Sequence, residues 1–303
     1  MAISRAQLVK ELEPGLNALF GLEYKRYDNQ AAEIYVSENS DRAFEEEVML
    51  SGFGNAQVKG EGQGVSFDDA QETFTARYTH ETIALAFAIT EEAIEDNLYD
   101  RISSRYTKAL ARSMANAKQV KSVEPLINGL PTTDGFDSGD GVSLFNTSHT
   151  TLNGSFKNTL STQADLNETS LEQALIDISG MTDERGLKVA AKGVKMIVPP
   201  ENQFNAERLM KSQGRVGTAD NDINAINSLG MIPQGYRVNN YLTDTDAWYI
   251  ITDVPNGMKH FVRAALKTAM EGDFDTGNVR FKARERYSFG VSDPRGIFGV
   301  EGA

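Results

Sequence analysis

The sequence predicts an α+β fold, and three observations carry that prediction. Apolar residues recur at helical spacing in one long stripe between about residues 90 and 120. Residues 279–291, VRFKARERYSFGV, alternate as a strand does. Helical and strand-like segments then interleave through residues 166–252. At 303 residues the chain has the length of about two domains, and such a chain buries roughly 75% of the surface its unfolded form exposes, so it needs no covalent staple.

Residues 1–40 read as an arm. AQLVKELEPGLNALFG places Leu8, Leu12, Leu16 and Leu19 at helical spacing, with Pro14 and Gly15 interrupting it. A segment half helical and half irregular cannot cover itself and is expected to lie on something else. Residues 41–80 read as a long hairpin whose flexible tip holds Gly52, Gly54, Gly60, Gly62 and Gly64. These glycines do not follow G-x-G-x-x-G, and no G-K-[ST] comes after them, so they do not make a nucleotide site. Next, Ile83, Leu85, Phe87 and Ile89 alternate with Thr82, Ala84, Ala86 and Ala88. Large residues on one face and small ones on the other predict a strand pressed between layers.

A helix is predicted from Thr90, as N-cap, to Val120. Glu91, Glu92, Glu95 and Asp96 fill its first turns, and Arg105, Lys108, Arg112 and Lys118 its later ones, in accord with the macrodipole. Ile94, Leu98, Ile102, Tyr106, Leu110 and Met114 draw its apolar stripe. At 1.5 Å per residue it reaches about 45 Å, the length of a strut. Residues 121–165 read mostly as loops. Ser170 and Gln173 form a capping box for the next helix. A buried strand, VKMIVPP, stops at Pro199 and Pro200, and a helix, ENQFNAERLMKSQG, closes at Gly214 as its C′ residue. Strands follow at GYRVNNYL and AWYIITD, and HFVRAALKTAM and residues 279–291 end the chain.

Composition and spacing exclude most chemistry. There is no Cys, so no disulfide framework, thiol catalysis or Cys-ligated metal is available. His80, His149 and His260 lack metal-ligand spacing. Ser148 stands beside His149, but neighbours on a strand point apart and no G-x-S-x-G elbow is present. Asp220, Asp222 and Asn224 begin like a calcium loop that fails at Ala225 and Met231. Asp134, Asp137 and Asp140 could hold a weak divalent ion but read rather as an acidic solvated loop, and Glu45, Glu46, Glu47, Asp68 and Asp69 read as charge runs. No catalytic residue, metal or cofactor is expected, which favours a structural role. The start, MAISRAQLVKELEPG, has no apolar core, and no run of 18 apolar residues occurs, so neither a secretion signal nor a membrane span is expected. With 43 acidic and 30 basic residues, a net charge of −13 opposes general adhesion to nucleic acid.

The exception to that charge is residues 279–291. Arg280, Lys282, Arg284 and Arg286 share one face of the strand, and Val279, Phe281, Tyr287 and Phe289 lie on the other. Four cations in a row could follow a phosphate backbone, but no groove-reading motif accompanies them.

Five stretches, in order along nearly the whole chain, resemble the major capsid proteins of tailed bacteriophages with the HK97-type fold, particularly the Mu-like major head subunits. They are FAITEEAIEDNLYD, LFNTSHTTL, MIVPPENQFNAERLM, WYIITDVPNG and VRFKARERYSFGVSDPRGIFG. The resemblance implies an N-terminal arm at 1–40 and an extended E-loop at 41–80, which lies over a neighbouring subunit. It implies a peripheral (P) domain whose spine helix falls in 81–121 and whose closing strands fall in 253–303, with an axial (A) domain at 122–252. It further implies a non-enzymatic subunit that assembles, as hexamers and pentamers in the host bacterial cytoplasm, into the icosahedral shell of a virion. The shell would enclose double-stranded DNA without sequence-specific binding. Portal and scaffolding proteins, and for some shells a decoration protein, would be its partners, and no membrane is involved. An arm of forty residues leaves no room for a built-in scaffold, so either a separate scaffold protein or an already processed chain is expected, and the starting Met favours the former. Some members crosslink a hairpin Lys to a neighbour's Asn. Lys59 is the lysine near this tip, and no matching Asn is identified. Under this fold the stripe Arg280, Lys282, Arg284 and Arg286 becomes a seam, with Glu45, Glu46, Glu47, Asp68 and Asp69 of a neighbour's hairpin as its partners. An encapsulin-like shell around protein cargo is the same-fold alternative, and a soluble hydrolase built on Ser148 the alternative of another class.

Overall fold

A computed structural model describes residues 5–90, 92–93, 99–131, 135–215, 222–273 and 277–303, with side chains from Pro14 on and, in the long helix, from Ser103 on. Two four-stranded sheets organise it. The first runs in the order β1 (Val36–Asn39), β10 (Met258–Gly272), β11 (Val279–Val291), β4 (Glu81–Ile89). Its β1 is parallel to β10, and the other pairs are antiparallel. The second runs β12 (Ile297–Val300), β9 (Trp248–Thr252), β7 (Gly193–Val198), β8 (Tyr236–Val238). A separate hairpin of β2 (Phe44–Leu50) and β3 (Glu72–Thr79) leaves the first sheet, and a short one of β5 (His149–Thr151) and β6 (Gly154–Phe156) lies in the long loop region.

Helix α1 (Arg5–Arg26) and the long helix α2 (Tyr99–Asn128) cover one face of the first sheet. Leu16 and Phe20 of α1, Leu110, Ala111 and Met114 of α2, and Phe281 and Ala283 of β11 form its core. The second sheet carries α3 (Glu168–Gly180), α4 (Gln203–Lys211) and α5 (Ala225–Leu229) over a core that includes Leu171, Ile178, Met196, Leu209, Trp248 and Phe298. Its other face, through Ile197 and Tyr249, meets Leu126 and Leu130 at the end of α2, which joins the two halves.

Several sequence expectations shift for physical reasons. The arm helix runs unbroken through Pro14, because Leu16 and Phe20 gain a buried seat on the chain's own long helix. The long helix continues past Val120 through Pro125, since Val123 and Leu126 extend its buried face. Tyr106 is exposed: a strict four-residue repeat gains about 40° per step at 3.6 residues per turn, so it spirals off the core. Glu91, Glu95 and Asp96, and the side chains of Ile94, Leu98 and Ile102, lie outside the described residues. Strand β4 is not pressed between layers; it is the sheet edge, and Thr82, Ala84, Ala86 and Ala88 face outward, uncovered. The cap of α3 is Asn167, whose side chain accepts from Ser170 N while Ser170 Oγ accepts from Asn167 N. Helix α4 ends at Lys211 with Ser212 as cap, so Gly214 is not its C′ residue. The last strand, β12, pairs with β9 in the second sheet, and its Ile297 packs with Val123 and Leu126 of the long helix.

Candidate functional site

Strand β11 has neighbours on both edges, so only its two faces remain to interact. On the helix side even its one acid is engaged. Glu285 is 3.7 Å from Lys118 and accepts from Tyr24 Oη at 3.5 Å. Burial raises the Glu285 carboxyl above the usual range, and Lys118 pulls against that rise.

The other face is open from Arg280 to Arg284, and beyond Arg286 it is covered, Ser288 by His80 and Gly290 by Tyr78. Arg280, Lys282 and Arg284 are exposed and Arg286 half-buried, at a spacing of roughly 6.6 Å along the strand. Toward β4 they stand opposite Ala88, Ala86, Ala84 and Thr82, so a strip of small residues leaves them uncrowded on that side. Toward β10, Arg280 faces Glu271 and pairs with Asp273. Arg284 faces Lys267, and like charges directly opposite in a sheet repel. Among the described residues Lys267, Lys282 and Arg284 have no ion-pair partner. Lys267 escapes a reading of the sequence, because only the register of β10 brings it to the stripe.

The hairpin carries the acids, and the structure sorts them. Glu45 accepts from Ser40 Oγ at 2.6 Å. Glu47 is held at the hairpin base by Lys259 Nζ at 2.5 Å and by Ser292 Oγ, which also meets Tyr78 Oη. Lys259 lies 3.2 Å from Glu38 as well; burial alone would lower its pKa, but Glu47 and Glu38 raise it. Glu46 faces outward with Arg77 at 3.8 Å. Asp68 accepts from Gly54 N at 2.7 Å, which lowers its pKa, and both Asp68 and the Asp69 carbonyl meet Arg185. Lys59 is exposed in the lobe beyond them, where Val58 is 100% and Phe67 98% exposed. Thus Glu47 belongs to its own subunit, while Glu46, Asp68 and Asp69 remain at the surface.

His80 sits at the hinge, the single residue between β3 and β4. Ser40 Oγ is 2.9 Å from its Nε2, and Ser288 Oγ is 3.0 Å from its Nδ1. Burial and then Arg286 depress the His80 pKa. His149 gives no support to a hydrolytic pair. It is fully buried, with Nδ1 2.7 Å from Asp140 and Nε2 3.0 Å from Asn158 Oδ1, while Ser148 is exposed. Asp140 is consequently a structural acid; burial would raise its pKa, but His149 and Ser138 hold it low. Asp134 and Asp220 lie outside the described residues, and Asn224 caps α5. Among the described residues no cluster of His, Asp and Glu is arranged to hold a metal, and no helix is long and apolar enough to cross a membrane.

A family model described as phage capsid protein matches residues 72–300. The chain belongs to that family. The capsid chain is also similar to the capsid of an empty GTA particle, with a TM-score of 0.58, 13% identity, and 91% of each chain covered. It is similar to the procapsid of bacteriophage JBD30, with a TM-score of 0.56 and 13% identity over 99% of this chain and 77% of that one. The virus-like particle from Pyrococcus furiosus matches with a TM-score of 0.52 and 13% identity over 94% of this chain and 98% of that one. No curated protein matches it in sequence. The capsid chain has the HK97-type fold.

Proposed function

We propose that this capsid protein is the major head subunit of a tailed phage, and that it assembles as hexamers and pentamers into an icosahedral shell around double-stranded DNA. The observation that carries the reading is a pair of complementary surfaces. Among the described residues Lys267, Lys282 and Arg284 lack an ion-pair partner on one sheet face, while the hairpin holds surface acids and exposed apolar side chains. Two different patches that fit each other make a head-to-tail contact, and such contacts form rings where the rotation between subunits closes. The hairpin of one subunit therefore lies on the cationic sheet face of the next, with Glu46, Asp68 and Asp69 near Arg280, Lys282, Arg284 and Arg286. Lys59 would lie in the same seam. The role is structural, without a catalytic step, and portal, scaffolding and decoration proteins would be its further partners in the host cytoplasm.

Negative-stain microscopy of purified wild type and of the Arg284→Glu, Arg286→Glu double variant tests the reading. Wild type is expected to form uniform shells or capsomers and the double variant none; persistent wild-type monomers sink the shell, and normal shells from the variant sink the seam. The likeness to a virus-like particle supports a second reading, a shell around protein cargo. Nucleic acid extracted from native particles separates the two: double-stranded DNA favours the head, and its absence with a co-purifying protein favours the cargo shell.

A further inference from the structure

The hairpin lobe is tied to its own subunit at a point far from its base, by a residue 116 positions away in sequence. Arg185 sits in a tight turn organised by Asp183, whose carboxylate accepts from Arg185 N at 2.9 Å and Leu187 N at 2.7 Å. Asp183 N also donates to Leu187 O, Gly186 takes a φ of +81°, and Asn153 Nδ2 donates to Arg185 O at 3.2 Å. The turn therefore keeps its backbone bonds whatever side chain stands at 185. The guanidinium donates to the Asp69 carbonyl and lies 3.6 Å from the Asp68 carboxylate.

Those contacts fall on a closed neck. Asp68 accepts from Gly54 N across the loop at 2.7 Å. Ser51 N donates to Gln71 O at 2.9 Å, and Gln71 N donates to Ser51 Oγ at 3.0 Å. Residues 55–67 hang beyond this neck as a lobe with no regular strand, and Gly60, Gly62 and Gly64 give it backbone freedom. Its base is clamped separately, through Glu47, Lys259, Ser292 and Tyr78. One clamp fixes where the hairpin leaves the body; a second point is needed to fix its direction.

We propose that Arg185 is a positioning residue that aims the hairpin lobe before a neighbouring subunit is met. A segment ordered in advance loses less conformational entropy on docking, so its contacts yield more net affinity. Arg185 grips the neck and leaves the lobe's apolar tip free, which suits aiming rather than concealment. The consequence for assembly rests on the shell reading above; the effect on the neck does not.

Hydrogen exchange on the unassembled full-length chain tests the neck directly. Arg185→Ala is expected to speed exchange at Ser51, Gly54 and Gln71 several-fold, and Arg185→Lys to restore part of the protection. Shell assembly by Arg185→Ala is expected to begin only at several-fold higher protein concentration. Because the chain has no Cys, Ala70→Cys with Arg185→Cys, beside the Asp69 carbonyl that Arg185 meets, can be joined by a short bis-maleimide, and the joined subunits are expected to assemble as readily as wild type. Unchanged exchange in Arg185→Ala overturns the proposal. So does failure of the joined subunits where singly capped ones assemble, since the neck would then have to let go. If wild type forms no shells at all, the shell reading falls, and the exchange comparison alone decides the role of Arg185.

Discussion

The two faces of β11 share one backbone and one alternation, yet they meet opposite conditions. Val279, Phe281, Ala283, Glu285 and Tyr287 are buried under two helices, and the one acid among them has both a lysine and a tyrosine. Arg280, Lys282 and Arg284 stand in the open, and Lys267 adds repulsion that nothing in the described chain relieves. The closed face is completed by folding. The open face carries charges that folding alone leaves to solvent, and the proposed seam would supply their partner from a neighbouring subunit.

The comparison breaks most sharply at Phe281. It is 1% exposed, with ring centroids of Phe87 at 5.6 Å and Phe20 at 6.4 Å. Truncating such a ring removes transfer energy and leaves a cavity, so Phe281→Ala is expected to cost about 3–5 kcal/mol. Urea unfolding of unassembled subunits measures this. A loss below about 1 kcal/mol would mean that the helices do not depend on this face.

The second test uses pH. His260 lies on the helix side of the same sheet, stacked on Phe289 at 4.4 Å and bonded to Ser37 at 2.9 Å. Burial first, then Lys118, pushes its pKa down from 6.5 to about 4. A depressed folded pKa gives stability that is present above 6.5 and lost as pH falls toward 4. The full shift corresponds to about 3 kcal/mol. His80, also depressed, acts in the same direction, whereas the raised carboxyl of Glu285 gains stability on acidification. Comparing denaturant midpoints at neutral and mildly acid pH, wild type is expected to weaken, and His260→Phe to weaken less. Equal acid losses in both chains would remove His260 from the account.

How much of this was legible beforehand differs between the two faces. The alternation of β11 is a local, period-two pattern, so its exposed cations and buried Phe281 could be read directly. The partner of Glu285 could not, because Lys118 reaches it only once the long helix lies across the sheet. Lys267 was hidden for a related reason. Register shifts between Val262 and Ala264, and between Ala264 and Lys267, decide which side chain of β10 stands opposite Arg284, and a one-residue slip would flip it to the other face. The continuous arm helix was hidden by Pro14, whose local penalty is outweighed by the burial of Leu16 and Phe20. Arg185 gave no signal at all, since a turn and a loop distant in sequence meet only in the fold.

The third test separates the faces by their readout. Arg284 is exposed and Arg286 half-buried, so Arg284→Glu with Arg286→Glu should change the stability of the unassembled subunit by only about 1 kcal/mol. Shell formation, by contrast, should be lost. A large drop in subunit stability would place these cations within the fold rather than at a seam, and the contrast between the faces would collapse.

The finest test removes the repulsion itself. Lys267 and Arg284 are directly opposed across β10 and β11, and such like-charge pairs cost a few tenths of a kcal/mol, up to about 1. Lys267→Ala is therefore expected to stabilise the isolated subunit slightly, most visibly at low salt, where surface charges are least screened. Under the proposed seam the same change should weaken assembly modestly, because it would withdraw one cation from the neighbour's acids. Opposite signs in the two measurements are what an interface charge requires. If Lys267→Ala leaves assembly untouched while stabilising the subunit, Lys267 lies outside the seam, and the seam narrows to the cations of β11.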